Sequence, residues 1–180
     1  GTRSGFAKQR GRPPEELFRD LREHGISILA SMIVGMPYQD EEVVRRELDG
    51  LLDLEPDLSQ FLIYGPIPGT PLFDRVVEQG LLREDLAAAP ELFYKASDGF
   101  CAMVRHPKLR AGEIEALQRH CFREDFRRLG PSIYRSMATW LKGFQTLSRS
   151  TNPMFRRKAE PTAADLPRAY PVFVPGPLFG

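Results

Sequence analysis

The chain has 180 residues, 42% of them apolar, the size of one ordinary domain with enough apolar side chain for a core. No run of 18 apolar residues suggests a membrane-spanning helix, and the start, Gly1-Thr2-Arg3-Ser4-Gly5, lacks both the apolar stretch of a signal peptide and a Met, so the chain is expected to begin inside a longer protein. The net charge of +1 conceals a balance of −10 over residues 11–100 and +8 over residues 101–160; without a Gly-rich or aromatic nucleic-acid motif beside it, the basic stretch (Arg119, Arg123, Arg127, Arg128, Arg135) reads as a solvated helical face rather than a nucleic-acid surface.

In chain order, Pro13 and Pro14 followed by Glu15 and Glu16 predict a helix to about His24, closed by Gly25, because proline is tolerated in a first turn and acids suit the positive end of the helix dipole. Ile26 to Val34 is nearly continuous in apolar and small residues, the pattern of a parallel strand buried on both faces. The loop Gly35-Met36-Pro37-Tyr38-Gln39 follows, and Asp40 caps a helix with Val43, Val44, Leu48, Leu51 and Leu52 as its core face, ended by Pro56. Leu58 to Tyr64 is a second strand, followed by Gly65-Pro66-Ile67-Pro68-Gly69, a Thr70 cap, a first-turn Pro71 and a short helix from Leu72 to Gln79. Strand, Gly/Pro loop and capped helix, twice over, is the repeating unit of a parallel α/β sheet. Such sheets bind ligands at the carboxyl ends of their strands, here Gly35 to Asp40 and Tyr64 to Thr70.

Residues 81–110 form a connecting segment with weaker signals, a helical turn at Ala87-Ala88-Ala89-Pro90 and an extended piece from Phe100 to Val104. Two stripes at helical spacing follow, Ile114, Leu117, Cys121, Phe122, Phe126 and Leu129, then Ile133, Met137, Trp140, Leu141 and Phe144, which read as a helical hairpin over residues 111–150. Residues 151–180 hold Pro161, Pro167, Pro171, Pro175 and Pro177, a density that predicts a disordered Pro-rich tail. Cys101 and Cys121 lie 20 residues apart, which suits neither a close metal-ligand pair nor a disulfide scaffold and points to a reducing, cytoplasmic compartment. Cys121 falls on the first stripe as a small core residue, and His24 and His120 read as helix-surface residues.

Three stretches taken together, Leu21-Arg22-Glu23-His24-Gly25-Ile26, Ile33-Val34-Gly35-Met36-Pro37 and Pro66-Ile67-Pro68-Gly69-Thr70-Pro71-Leu72-Phe73, resemble the carboxy-terminal part of a radical S-adenosylmethionine (radical SAM) enzyme, of the branch that also carries a cobalamin-binding domain. The resemblance covers residues 1–80, with a family-like helical extension to about residue 160. It implies an α/β fold in which Ile28 to Val34 and Leu58 to Tyr64 are the fifth and sixth strands, the last two strand-helix units of a partial (β/α) barrel, followed by the helical extension and the tail. The family's fifth-strand motif Gly-x-Ile-x-Gly-x-x-Glu falls on Ser31 to Tyr38 and matches at Ile33 and Gly35; the related Gly-Phe-Pro-Gly-Gln/Glu-Thr matches at Gly35, Pro37 and Gln39.

The cofactors implied are S-adenosylmethionine, a 4Fe-4S cluster whose three-cysteine loop would lie outside this chain, and, in that branch, cobalamin on a further domain. This part would contribute the adenosine-side wall and substrate-side loops for radical chemistry, or cobalamin-assisted methyl transfer, on an unactivated carbon of a small-molecule or lipid-like substrate. Its other partner would be the remainder of the barrel, and alone it is expected to be inactive. Ile33 and the Gly35-Met36-Pro37 turn would supply an apolar wall and close backbone approach for the adenine, Tyr38 a stacking or hydroxyl contact, and Gln60 and Tyr64, of one strand parity, polar contacts to a ribose or carboxylate. No catalytic residue and no metal ligand is assigned within the chain. A reading from another class stands beside this one, a non-catalytic interaction module whose helical hairpin and basic face dock a partner.

Overall fold

Two short polar side chains set where loops become helices. Asp40, in extended backbone, accepts a hydrogen bond from Val43 N at 3.0 Å ahead of the acidic first turn of Glu41–Leu52, and Thr70 accepts from Phe73 N at 3.3 Å ahead of the first-turn proline of Pro71–Glu78. The computed structural model describes residues 12–173. Its elements run α1 (Pro14–Glu23), β1 (Leu29–Val34), α2 (Glu41–Leu52), β2 (Leu58–Ile63), α3 (Pro71–Glu78), α4 (Glu84–Ala88), α5 (Pro90–Ala96), α6 (Ala111–Leu129), α7 (Ser132–Ser148) and α8 (Pro153–Phe173).

β1 and β2 pair as neighbours. Leu58 N donates to Ile28 O at 3.0 Å and Tyr64 N to Val34 O at 2.8 Å, the same advance along both strands, so the pair is parallel with α2 as its crossover. That register sets Ser31 beside Gln60, whose side chains meet at 3.0 Å, and Ile33 beside Leu62. The two edges of the sheet differ. On the outer edge of β2, Ile63 N donates to Gly99 O at 2.8 Å and Phe61 O accepts from Gln118 Nε2 at 2.7 Å. On the outer edge of β1, Gln39 Nε2 reaches Ile33 O at 3.0 Å, while the outward N–H groups of Ser31 and Ile33 have no partner among the described residues.

The described chain divides into two compact units, the first including Ser31–Asp53 and Ser59–Arg128, the second residues 12–30, Leu54–Leu58 and residues 129–173. In the first, Val34, Val44, Leu48, Leu52, Phe61 and Cys121 are almost fully buried, and Val76, Leu82, Leu86, Phe93 and Met103 form a continuing cluster. In the second, the buried Asp57 carboxylate accepts from Ile28 N at 2.7 Å and from Thr139 Oγ1, while Arg135 Nε donates to its carbonyl at 3.2 Å. Gly25, with φ +70°, ends α1 against Gly143 of α7 so closely that a Cβ on Gly25 would stand 2.1 Å from Gly143 N.

Four expectations need correcting. β1 is not buried on both faces: Ala30, Met32 and Val34 are buried but Leu29, Ser31 and Ile33 are open, because no described residue covers that side of the strand. In α6 the buried face is Ile114, Leu117, Gln118 and Cys121, and Phe126 is 63% exposed; Gln118 turns inward because its amide serves the carbonyls of Phe61 and Gly99. In α7 the residue buried is Thr139, on Asp57, while Ile133 and Leu141 are exposed. The Pro-rich segment expected as a disordered tail is helix α8 through Phe173, with Pro161 and Pro167 inside it; Pro175 and Pro177, like Gly1 to Gly5, lie outside the described residues. An interior proline costs a helix about 3 kcal/mol, and what opposes that cost here is packing of α8 along α7, where Ala159 is buried. No helix among the described residues is long and apolar enough to cross a membrane.

Candidate functional site

The loop from Gly35 to Asp40 at the carboxyl end of β1 is built around Gln39, a side chain with no solvent exposure. Its Oε1 accepts from Met36 N at 2.8 Å, and its Nε2 donates to Ile33 O at 3.0 Å and to Glu47 Oε2 at 2.7 Å. Every polar atom of the amide is thus engaged, and the loop is bent back over the strand that precedes it. Glu47, on α2, also accepts from the Tyr38 hydroxyl at 3.2 Å. Burial, and then the neighbouring Glu47 carboxylate, push the Tyr38 phenol above its ordinary pKa.

A second set of contacts comes from the segment before α6. His106 Nε2 donates to Met36 O at 2.9 Å, and its Nδ1 accepts from Lys108 N at 3.1 Å and Leu109 N at 3.0 Å. A carbonyl can only accept, so these partners define the Nε2–H tautomer. Lys108 Nζ donates to Asp40 Oδ2 at 2.8 Å and to Tyr38 O at 3.2 Å, and the hydrogen bond from Lys108 holds the Asp40 carboxyl below its ordinary pKa. Gly35 takes φ +85°, and a Cβ there would lie 2.9 Å from Ile114 Cγ2. The space beside Gly35 is therefore taken by this chain's own Ile114, so the glycine has a packing reason as well as a conformational one.

Of the residues expected to meet a cofactor, Ile33 and Gln60 stand on the open face of the sheet, with Ser31 and Leu62 as their neighbours. Ser31 Oγ donates to Gln60 Oε1, which leaves the Gln60 Nε2 donors free of partners among the described residues. Met36 is half-buried, and Pro37 is exposed. Tyr64 differs from Gln60 despite its parity: it follows the last residue of β2, is 8% exposed, and its buried hydroxyl has no partner among the described residues. Burial raises its phenol pKa, with Arg75 opposing. The structure thus gathers Ile33 and Gln60 on one face and Gly35, Met36, Pro37 and Tyr38 in the loop at its end.

Two of the four arginines of α6 are engaged with acids: Arg127 with Glu124 at 2.6 Å, and Arg128 with Asp49 at 2.8 Å and Asp53 at 2.5 Å. Cys121 is fully buried, its thiol pushed up to about 11 by burial, and among the described residues no group of three His, Cys, Asp or Glu side chains could hold a metal ion. Sequence reasoning passed over Glu47, His106 and Lys108. Glu47 follows its partners by 8 and 9 residues, while His106 and Lys108 follow theirs in the loop by up to 70, and no motif spacing marks any of the three.

No family model matches the chain. The chain is 31% identical over 101 residues to an anaerobic magnesium-protoporphyrin IX monomethyl ester cyclase of Cereibacter sphaeroides, a match that spans 56% of this chain and 15% of the cyclase.

Proposed function

We propose that this chain is the carboxy-terminal part of a radical SAM enzyme, contributing to its barrel the last two strands and one wall of the cofactor site. The observation that carries this reading is the asymmetry of the sheet. At the β2 edge Ile63 N and Phe61 O are taken by Gly99 and Gln118, whereas at the β1 edge the N–H groups of Ser31 and Ile33 have no partner among the described residues and the face beside them is open, as at the inner boundary of a longer parallel sheet. The likeness to an anaerobic cyclase and the residues matching the radical SAM motifs support the same reading.

A 4Fe-4S cluster does not fit this chain, whose cysteines are two, one of them buried, so no step is assigned to it here. S-adenosylmethionine does fit the open face. Ile33 and Leu62 offer an apolar surface for the adenine, and the Nε2 donors of Gln60, which no described residue engages, suit a ribose oxygen or a carboxylate. Bound, the cofactor would supply the radical or methyl group; this chain's part is to bind and orient it and to exclude water. The Tyr38 hydroxyl is committed to Glu47, so its contribution is to hold the loop's shape.

The test is titration of the full-length, anaerobically reconstituted protein with S-adenosylmethionine, beside thermal melts. Gln60→Leu and Ile33→Asp are expected to weaken binding at least tenfold with the melting midpoint unchanged, because both side chains are exposed. A full-length protein with no Cys-x-x-x-Cys-x-x-Cys loop, or one in which neither variant changes affinity, removes the reading and leaves the interaction module.

A further inference from the structure

A cavity of about 370 Å³ lies beyond the outer edge of β2, on the side that Gly99 seals, and is complete within this chain's first unit. Its floor is Leu62 and Ile63, one wall is the loop Gly65 to Pro68, and the other is Phe93 and Tyr94 of α5; Ser97, Asp98 and Cys101 bring polar atoms to its rim. An apolar cavity of about 350 Å³ adjoins it, sharing Pro68, Phe93 and Tyr94 and adding Phe73, Val77, Leu82 and Leu86. Cavities of a few hundred Å³ with aromatic and apolar walls and few polar groups are the usual form of small-molecule sites.

We propose that this pair of cavities is a binding site for an uncharged, ring-bearing apolar molecule, separate from the open face of the sheet, with Cys101 at its wall. The rigid plates of Pro66, Pro68, Phe93 and Tyr94 suit a ring, and the apolar second cavity extends the same surface. The polar groups present are mostly engaged: Ser97 Oγ donates to Phe93 O at 2.9 Å, Asp98 Oδ1 accepts from Phe100 N at 2.7 Å, and Cys101 Sγ accepts from Arg83 Nη1 at 3.3 Å. The loop wall is held by close packing, since a Cβ on Gly65 would stand 3.3 Å from Met103 Sδ. Of these residues only Leu62 also borders the open face, and neither Ser97 nor Tyr94 does, so variants at those two positions test this proposal apart from the cofactor reading.

Cys101 supplies a reporter, and buried Cys121 an internal control. The experiment compares N-phenylmaleimide with N-methylmaleimide on the 180-residue chain, reading adducts at each cysteine by peptide mass spectrometry. Both reagents add the thiol sulfur across the same ring double bond, the adjacent carbon taking a proton from solvent, so they differ in the phenyl group alone. N-phenylmaleimide is expected to modify Cys101 with a rate that saturates in reagent and exceeds that of N-methylmaleimide at least tenfold, with Cys121 unmodified. Ser97→Trp, which fills the cavity, should abolish the phenyl advantage while leaving the N-methylmaleimide rate in place. Tyr94→Ala, at an exposed position that tolerates truncation, should cut the advantage at least threefold. Equal, non-saturating rates in the unaltered chain, or an advantage that survives in both variants, would overturn the proposal.

Discussion

Gly50 and Gly143 both lie inside helices, and their neighbours decide opposite outcomes for the same substitution. A Cβ at Gly50 meets nothing within 4 Å, so Gly50→Ala is expected to stabilise by about 0.5–1 kcal/mol through helix propensity alone. At Gly143 the Cβ would stand 2.5 Å from Gly25 O, and overpacking of about 1–3 kcal/mol outweighs the same gain, so Gly143→Ala should lower the denaturant midpoint. Asp57→Ala strips the partners from Ile28 N and Thr139 Oγ1 in a buried place and should cost about 2–4 kcal/mol in the same measurement. The Cys121 thiol, ordinarily near 9.0 and raised to about 11, binds its proton more tightly in the folded chain. Its contribution is therefore complete below the ordinary value and is lost as pH rises toward 11. Urea melts from pH 8 to 11 should show this decline, and Cys121→Ala should flatten it, leaving the part due to the raised Tyr38 and Tyr64 phenols. At the acid end the lowered carboxyls of Asp40, Asp85, Glu113 and Glu124 contribute above the carboxylate range and lose that contribution as pH falls through their lowered values, an exposed and hence salt-sensitive effect.

At the scale of elements, α8 supplies the clearest test of packing against local preference. Pro161 is exposed and interior to the helix, so Pro161→Ala should restore a backbone hydrogen bond and raise the melting temperature; an unchanged midpoint would mean that α8 does not contribute to cooperative unfolding. Elements announced by local chemistry were legible: the caps at Asp40 and Thr70 act on backbone three residues away, and the strands and the first two connecting helices follow from them. What depended on distant partners was not. The bonds from His106 and Lys108 to the Gly35–Asp40 loop, and that from Gln118 to Phe61, join residues far apart in the chain, and neither spacing nor composition marks them. The open face of β1 was hidden for a related reason, since an apolar run looks the same whether or not its second face is covered. Ile33 and Gly35, picked out from the motif, do lie at the carboxyl end of β1, yet the contact beside Gly35 is Ile114.

For the molecule as a whole, Leu29, Ile33 and Leu58 are large apolar side chains exposed on two adjacent strands, and the N–H groups of Ser31 and Ile33 on that edge have no partner among the described residues. The 180-residue chain is expected to self-associate in sedimentation and to enhance the fluorescence of 8-anilino-1-naphthalenesulfonate. Leu29→Lys combined with Ile33→Lys should shift it toward monomer and reduce the dye signal, while a chain that is already monomeric and silent to the dye would remove the case for missing strands. The seal on β2 also has a cost in time. Gln118 follows Phe61 by 57 residues, so at synthesis rates of about 5–20 residues per second the outward carbonyl of β2 waits roughly 3–11 s before its partner exists. During that interval the Phe61 carbonyl lacks the side chain that caps it, and a chain whose synthesis stops short of α6 never gains it.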